Sequence, residues 1–195
     1  MLISDKYKTI FLHINKAGGT SIETVLRTGA LFRKHYMTAY EVRDFDKDKW
    51  EKYFKFAIVR NPWDKMTSLY RYRSSIGLIP LSWNFSKFIH NLDRLNNSSP
   101  SKSRRNLLRT SNQLEHCVDE NGQVILNYIG RFENLRNEWK KISKIINCKK
   151  PLPHVKATKK HKHYSQYYTD ELRDIIAGRF NKDIEYFDYK FEDRR

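Results

Sequence analysis

Lys16, Gly18, Gly19, Thr20 and Ser21 fall within six consecutive positions of the stretch TIFLHINKAGGTSIETVLRTG, residues 9–29. A lysine, a glycine turn and two hydroxyls at the start of a helical pattern are the parts of an anion site. The first amides of a helix have no carbonyl to bond, the dipole puts positive charge there, and Lys16 adds a full charge. A second pair stands further along. Arg60 closes the apolar run FKFAIV and Ser68 follows it by eight residues. A strand-terminal arginine offers a planar fork of donors to phosphate, and a hydroxyl two turns into the next helix can face the same pocket. The competing reading pairs Arg60 with Asp64 and leaves Ser68 solvated.

The elements that must position these groups can be read from pattern. TIFLHI reads as a short buried strand. After the glycines Ile22, Val25 and Leu26 share one helical face, with Thr20 and Glu23 as a capping box and Gly29 as the stop. A second strand spans Phe54 to Ile58 and ends at Arg60. Asn61 then caps a helix with Pro62 in its first turn, where a missing N–H is harmless. Further helices are expected over residues 85–95, over 135–146 with Trp139, Ile142 and Ile146 inward, and after Thr169 with Leu172, Ile175 and Ile176 inward. A turn at Asn121-Gly122 precedes a strand expected over 124–129. Residues 96–105 read as an exposed loop, and the aromatic tail DIEYFDYKF reads as packed. Strands alternating with helices imply an α/β fold with helices on both faces of a mainly parallel sheet.

The totals set bounds. A chain of 195 residues fits one domain, here taken as residues 1–195. Lys and Arg outnumber Asp and Glu by 38 to 22, so the partner or substrate is expected to be anionic. Two cysteines, Cys117 and Cys148, form no C-x-x-C pattern and read as reduced thiols, with no structural metal. With no apolar run approaching the ~20 residues of a membrane span, the chain as given reads as cytosolic, and peripheral membrane contact stays open.

The Walker loop G-x-x-x-x-G-K-[ST] puts its lysine after the last glycine, whereas Lys16 precedes Gly18 and Gly19 and no earlier glycine exists. A nucleoside triphosphatase is therefore disfavoured, and no Asp-terminated strand follows to hold Mg²⁺. The segment HINKAGGTS instead resembles the 5′-phosphosulfate loop, HIPKTGGTS, of sulfotransferases that use 3′-phosphoadenosine 5′-phosphosulfate (PAPS), in the branch of heparan sulfate 2-O-sulfotransferase and bacterial relatives. Asn15 replaces the usual proline. FAIVRNPWDKMTSLY resembles that family's 3′-phosphate element, IGRFENL its strand closing the nucleotide pocket, and LPHVKATKKHKHYSQYYTDEL its basic C-terminal loop. Residues 78–118 match no family segment.

The resemblance implies a P-loop-like three-layer α/β/α fold and sulfuryl transfer from PAPS to a hydroxyl of a carbohydrate or glycolipid, without a metal. It implies that Lys16 touches the phosphosulfate and steadies the departing phosphate, while the amides of Ala17, Gly18, Gly19, Thr20 and Ser21 cradle its oxygens. Arg60 and Ser68 would hold the 3′-phosphate, and Lys159 and Lys160 would cover the nucleotide. His35, in KHYMTAYEV, lies where relatives supply the general base, with Lys34 orienting the sulfate; Glu23 and Glu41 are the carboxylate alternatives. His13 reads as a structural strand histidine, His90 and His116 fall in unmatched segments, and His154, His161 and His163 sit on a basic face. Tyr164, Tyr167 and Tyr168 would equally suit stacking on nucleic acid. Two other functions compete: a non-catalytic binder of polyanions or nucleic acid on the same fold, and a nucleotide kinase.

Overall fold

The computed structural model describes residues 1–27, 30–33, 37–97, 110–153 and 162–195. Gly29, Lys34, His35, most of the loop expected over 96–105, and His154, Lys159, Lys160 and His161 lie outside the described residues. The strands are β1 (Leu2–Ser4), β2 (Thr9–Leu12), β3 (Ala30–Arg33), β4 (Phe54–Val59) and β5 (Tyr128–Arg131). The α-helices are α1 (Gly19–Leu26), α2 (Ala39–Phe45), α3 (Lys47–Lys52), α4 (Pro62–Ser75), α5 (Phe85–His90), α6 (Leu92–Asn97), α7 (Leu135–Ile145), α8 (Asp170–Arg179) and α9 (Asn181–Tyr186). They divide between two compact units, Met1–Arg60 with Gln113–Thr158, and Asn61–Asn112 with Lys159–Arg195.

The first unit holds the whole sheet, in the order β3-β1-β2-β4-β5. β2, β4 and β5 are parallel, with Leu12 opposite Ala57 and Val59 opposite Arg131. This is the open α/β fold expected, and its sheet is mixed, because β1 runs antiparallel to both β2 and β3. The reason is the connection: Asp5 to Lys8 is a tight turn closed by the Lys8 N–H on the Asp5 carbonyl, and so short a link can join only antiparallel strands. The core is apolar from Leu2 and Ile3 through Phe11, Leu12, Ile22, Leu26, Phe56 and Ile58, with the Phe11 and Phe56 rings stacked 5.0 Å apart. Each such side chain contributes about 1.5–3 kcal/mol by leaving water. Parallel pairing brings the carboxyl ends of β2, β4 and β5 to one edge, where a ligand site of an α/β sheet belongs.

The second unit is built on α4. The Asn61 side chain accepts from the amides of Trp63 and Asp64, and Pro62 opens the helix, as expected. Trp63 Nε1 donates to the Arg173 carbonyl at 3.0 Å, and the Tyr168 hydroxyl donates to the Trp63 carbonyl at 2.8 Å. Tyr164 and Tyr168 are buried, and Tyr167 is half-buried against Tyr70 and Phe85. These rings are core, not a stacking platform, because a 3₁₀ turn at Tyr164–Tyr167 folds them onto the aromatic face of α4 and α5. Thr169 caps α8 through the Leu172 amide, Leu172 and Ile176 are buried and Ile175 is partly exposed. Phe187 and Tyr189 of the tail are buried.

Three local expectations are corrected. The helix expected over residues 85–95 is two, α5 and α6, because Asn91 leaves helical geometry and bonds its side chain back to the Lys87 carbonyl at 2.8 Å. The strand expected over 124–129 is β5 at Tyr128–Arg131, and Val124 makes only an isolated bridge to Val118. The Thr20/Glu23 capping box does not form: Gly18 is the N-cap, Thr20 is exposed inside α1, and Glu23 is buried on a different partner.

Candidate active site

The loop from the end of β2 to α1 is held by residues of the first unit. Lys16 takes a left-handed conformation, φ 67, and Gly18 another, φ 76. For a residue with a Cβ that conformation costs on the order of 1 kcal/mol, so the lysine must be held in it. The holder is Arg60. Its Nη1 donates to the Lys16 carbonyl at 2.8 Å, and its guanidinium carbon lies 4.1 Å from the centre of the Phe132 ring. The same ring closes over Gly18, where an added Cβ would stand 3.1 Å from Phe132 and 2.7 Å from Leu135 Cδ2. Only glycine fits that turn without displacing the start of α7.

On its other flank the loop rests on histidine. His13 Nδ1 lies 2.7 Å from Glu23 Oε1, and a Cβ on Gly19 would come within 2.3 Å of the His13 ring. Glu23 is buried and His13 is stacked on Phe11. His13, expected as a structural strand residue, therefore has a partner: a carboxylate one helical turn into α1. Glu41 is also occupied, its Oε2 accepting from the Thr38 amide at 2.9 Å as the box that opens α2. Ala17 and Ser21 are buried, Lys16 and Gly18 are partly exposed and Thr20 is exposed. The Ser21 amide is taken by the Gly18 carbonyl at 3.1 Å.

Thus Lys16, Ala17, Gly18, Gly19, Thr20, Ser21 and Arg60 come together in one unit at the carboxyl edge of the sheet. Ser68 lies half-buried on α4 in the second unit. His35, Lys159 and Lys160 lie outside the described residues. Among the described residues no cluster of three His, Cys, Asp or Glu side chains could hold a metal, and no helix is long and apolar enough to cross a membrane. Cys117 and Cys148 are thiols not joined in a disulfide, both buried, and the Cys117 thiol donates to the Gln113 carbonyl.

Two residues take their place in the site only through the tertiary structure. Gln113, fully buried, accepts from the Arg60 amide at 2.9 Å and donates to the Arg60 carbonyl at 2.7 Å. No local pattern in the sequence marks it. Phe132 was legible only as part of IGRFENL; its place against Arg60 and Gly18 is a tertiary fact. Beneath it, Glu138 of α7 is buried, packs on Gly130 and accepts from the Tyr128 hydroxyl. Burial, then that carboxylate, push the Tyr128 phenol up to about 12.

This arrangement suits a group that carries negative charge into a turn of amides and leaves with more of it. No curated protein and no solved structure matches the chain. The sequence model of the sulfotransferase family does, over residues 1–190. A match that runs through the Lys16 turn, the Arg60 strand end and the Phe132 turn alike makes this chain a member of the sulfotransferase family, an enzyme of sulfuryl transfer.

Proposed function

We propose that the sulfuryl donor is PAPS and that the acceptor is a hydroxyl of a carbohydrate or glycolipid. The observation that carries the reading is the Lys16 turn, a left-handed lysine whose carbonyl is gripped by Arg60 at the opening of α1. The residues present fit such a donor. The glycine turn is backbone packed too closely for a Cβ, and α1 opens there with its free amides and positive dipole end. When bound, PAPS supplies an activated sulfuryl group on a phosphate that departs as an anion.

In this reading the amides of residues 17–20 and the hydroxyls of Thr20 and Ser21 hold the 5′-phosphosulfate, the Ser21 amide being bonded to the Gly18 carbonyl. Lys16 neutralises the charge that grows on the departing phosphate oxygen, and transfer rests on positioning and charge, as in phosphoryl transfer. Arg60, whose Nη1 grips the Lys16 carbonyl, would present its planar fork of donors to a 3′-phosphate, on the strength of the resemblance. Ser68, Lys159 and Lys160 join the nucleotide site, and His35 takes the proton of the attacking hydroxyl, on the strength of the resemblance. The excess of basic residues suits both the polyanionic donor and an acidic acceptor.

The test is thermal stabilisation by adenosine 3′,5′-bisphosphate, the product of PAPS, against adenosine 5′-phosphate and ATP with Mg²⁺. A rise in Tm specific to the bisphosphate is expected. Stronger stabilisation by ATP would transfer the site to a kinase, and no response to any of the three would leave polyanion binding as the better reading.

A further inference from the structure

We propose that Gln113 is a positioning residue for the donor site, acting through Arg60 on the peptide between Lys16 and Ala17; its consequence for nucleotide binding rests on the PAPS reading above. Arg60 is the first residue beyond β4, whose last paired residue, Val59, lies opposite Arg131. At that point the backbone leaves the ladder while still buried, and a buried N–H and C=O must find partners. The single amide side chain of Gln113 supplies both, at 2.9 and 2.7 Å, as a neighbouring strand residue would. The backbone of Arg60 is thereby fixed, and with it the origin of the guanidinium.

That guanidinium reaches the Lys16 carbonyl at 2.8 Å, with the Phe132 ring limiting its swing. The peptide bonds are trans, so a carbonyl and the following N–H point in opposite directions. Gripping the Lys16 carbonyl therefore turns the Ala17 N–H away from Arg60, and holds Lys16 at its positive φ. Arg60 is in this way an aligner of a loop amide, a role separate from any contact with a 3′-phosphate.

Gln113→Met keeps the length and volume and removes both hydrogen bonds; Gln113→Glu keeps an acceptor for the Arg60 amide and is the second variant should Met fold poorly. The first readout needs no nucleotide: amide hydrogen exchange of a peptide spanning residues 13–19 in the free protein. It should quicken by about 10-fold in Gln113→Met and in Arg60→Ala, and no more in the double variant than in Arg60→Ala. The second readout is affinity for adenosine 5′-phosphate and for the 3′,5′-bisphosphate. Gln113→Met should weaken both by one factor, about 10-fold, and should have no effect on the monophosphate once Arg60 is alanine. Loop exchange unchanged in both glutamine variants overturns the inference, as do effects that multiply with those of Arg60→Ala. A wild-type protein that binds neither nucleotide sinks the PAPS reading instead, while loop exchange still decides the brace.

Discussion

His13 Nδ1 and Glu23 Oε1 lie 2.7 Å apart, tying the residue after β2 to the middle of α1 beneath the glycine turn. A carboxylate only accepts, so Nδ1 carries the proton and the ring is fixed in one orientation against Gly19. Glu23→Ala leaves the half-buried ring without its acceptor and should destabilise the fold by about 1–2 kcal/mol, with Glu23→Gln less than half as harmful. Gly19→Ala overfills the same spot and should cost about 1–3 kcal/mol. Adding His13→Ala makes room for the methyl group, so the double variant should be more stable than the sum of the two singles. Urea denaturation of the wild type, Gly19→Ala, His13→Ala and the double variant decides it; strict additivity would mean that Gly19 is constrained by something other than the ring.

Lys16 separates charge from conformation. Lys16→Ala removes the ammonium and keeps the left-handed strain, whereas Lys16→Gly removes both. Each should lower turnover by about 100-fold, since a positioned charge on a leaving oxygen is typically worth that much. The glycine variant should be the more stable of the two by about 1 kcal/mol. Equal melting temperatures would show that the turn relaxes when the side chain is lost.

His35→Ala should abolish transfer to a neutral hydroxyl while leaving affinity for adenosine 3′,5′-bisphosphate within about 2-fold of wild type, because a general base acts on the acceptor alone. The rising limb of the turnover–pH profile should vanish with it. Undiminished sulfation by a folded His35→Ala protein would return the role to another group.

Tyr53 and Asp5 make stability depend on pH at both extremes. The Tyr53 hydroxyl donates to Asp5 Oδ1 at 2.7 Å. That bond, then burial, push the phenol up to about 12, so its contribution is whole below 10.0 and is lost as pH rises through about 12. The same hydroxyl, ahead of Lys49, holds the Asp5 carboxyl below its ordinary 3.8, so that contribution is whole above 3.8 and is lost as pH falls through the lowered value. Tyr53→Phe should therefore flatten both limbs of a Tm–pH curve. The alkaline limb should persist in part, because Tyr128 is also raised to about 12. An acid limb unchanged by Tyr53→Phe would refute the coupling.

Local chemistry made much of this protein legible in its sequence. The Asn61-Pro62 helix start, the Thr169 cap and the Ile22, Val25 and Leu26 face depend on spacing and on groups a few residues apart, and the structure keeps them. The lysine and glycines of the loop were readable for the same reason: a turn that must expose amides needs those residue types in that order. Where the local pattern misled, a distant group had won. Glu23 had the spacing of a cap and went to His13, because a buried carboxylate is held more strongly by an imidazole N–H than by an exposed helix end. Tyr164 and Tyr168 had the look of a stacking surface and went into the core, because their area is worth more against α4 than in water.

What only the tertiary structure decided is how the loop is held. Nothing near Lys16 announces that Arg60 will take its carbonyl, nor anything near Arg60 that Gln113 will take its backbone. Those pairs lie 44 and 53 residues apart, and the first meets because β2 and β4 are parallel neighbours whose ends share an edge. Sequence specifies which groups are able to hold an anion; the pairing of strands determines which of them face one another, since hydrogen bonds between distant residues form only after the backbone has been brought into register.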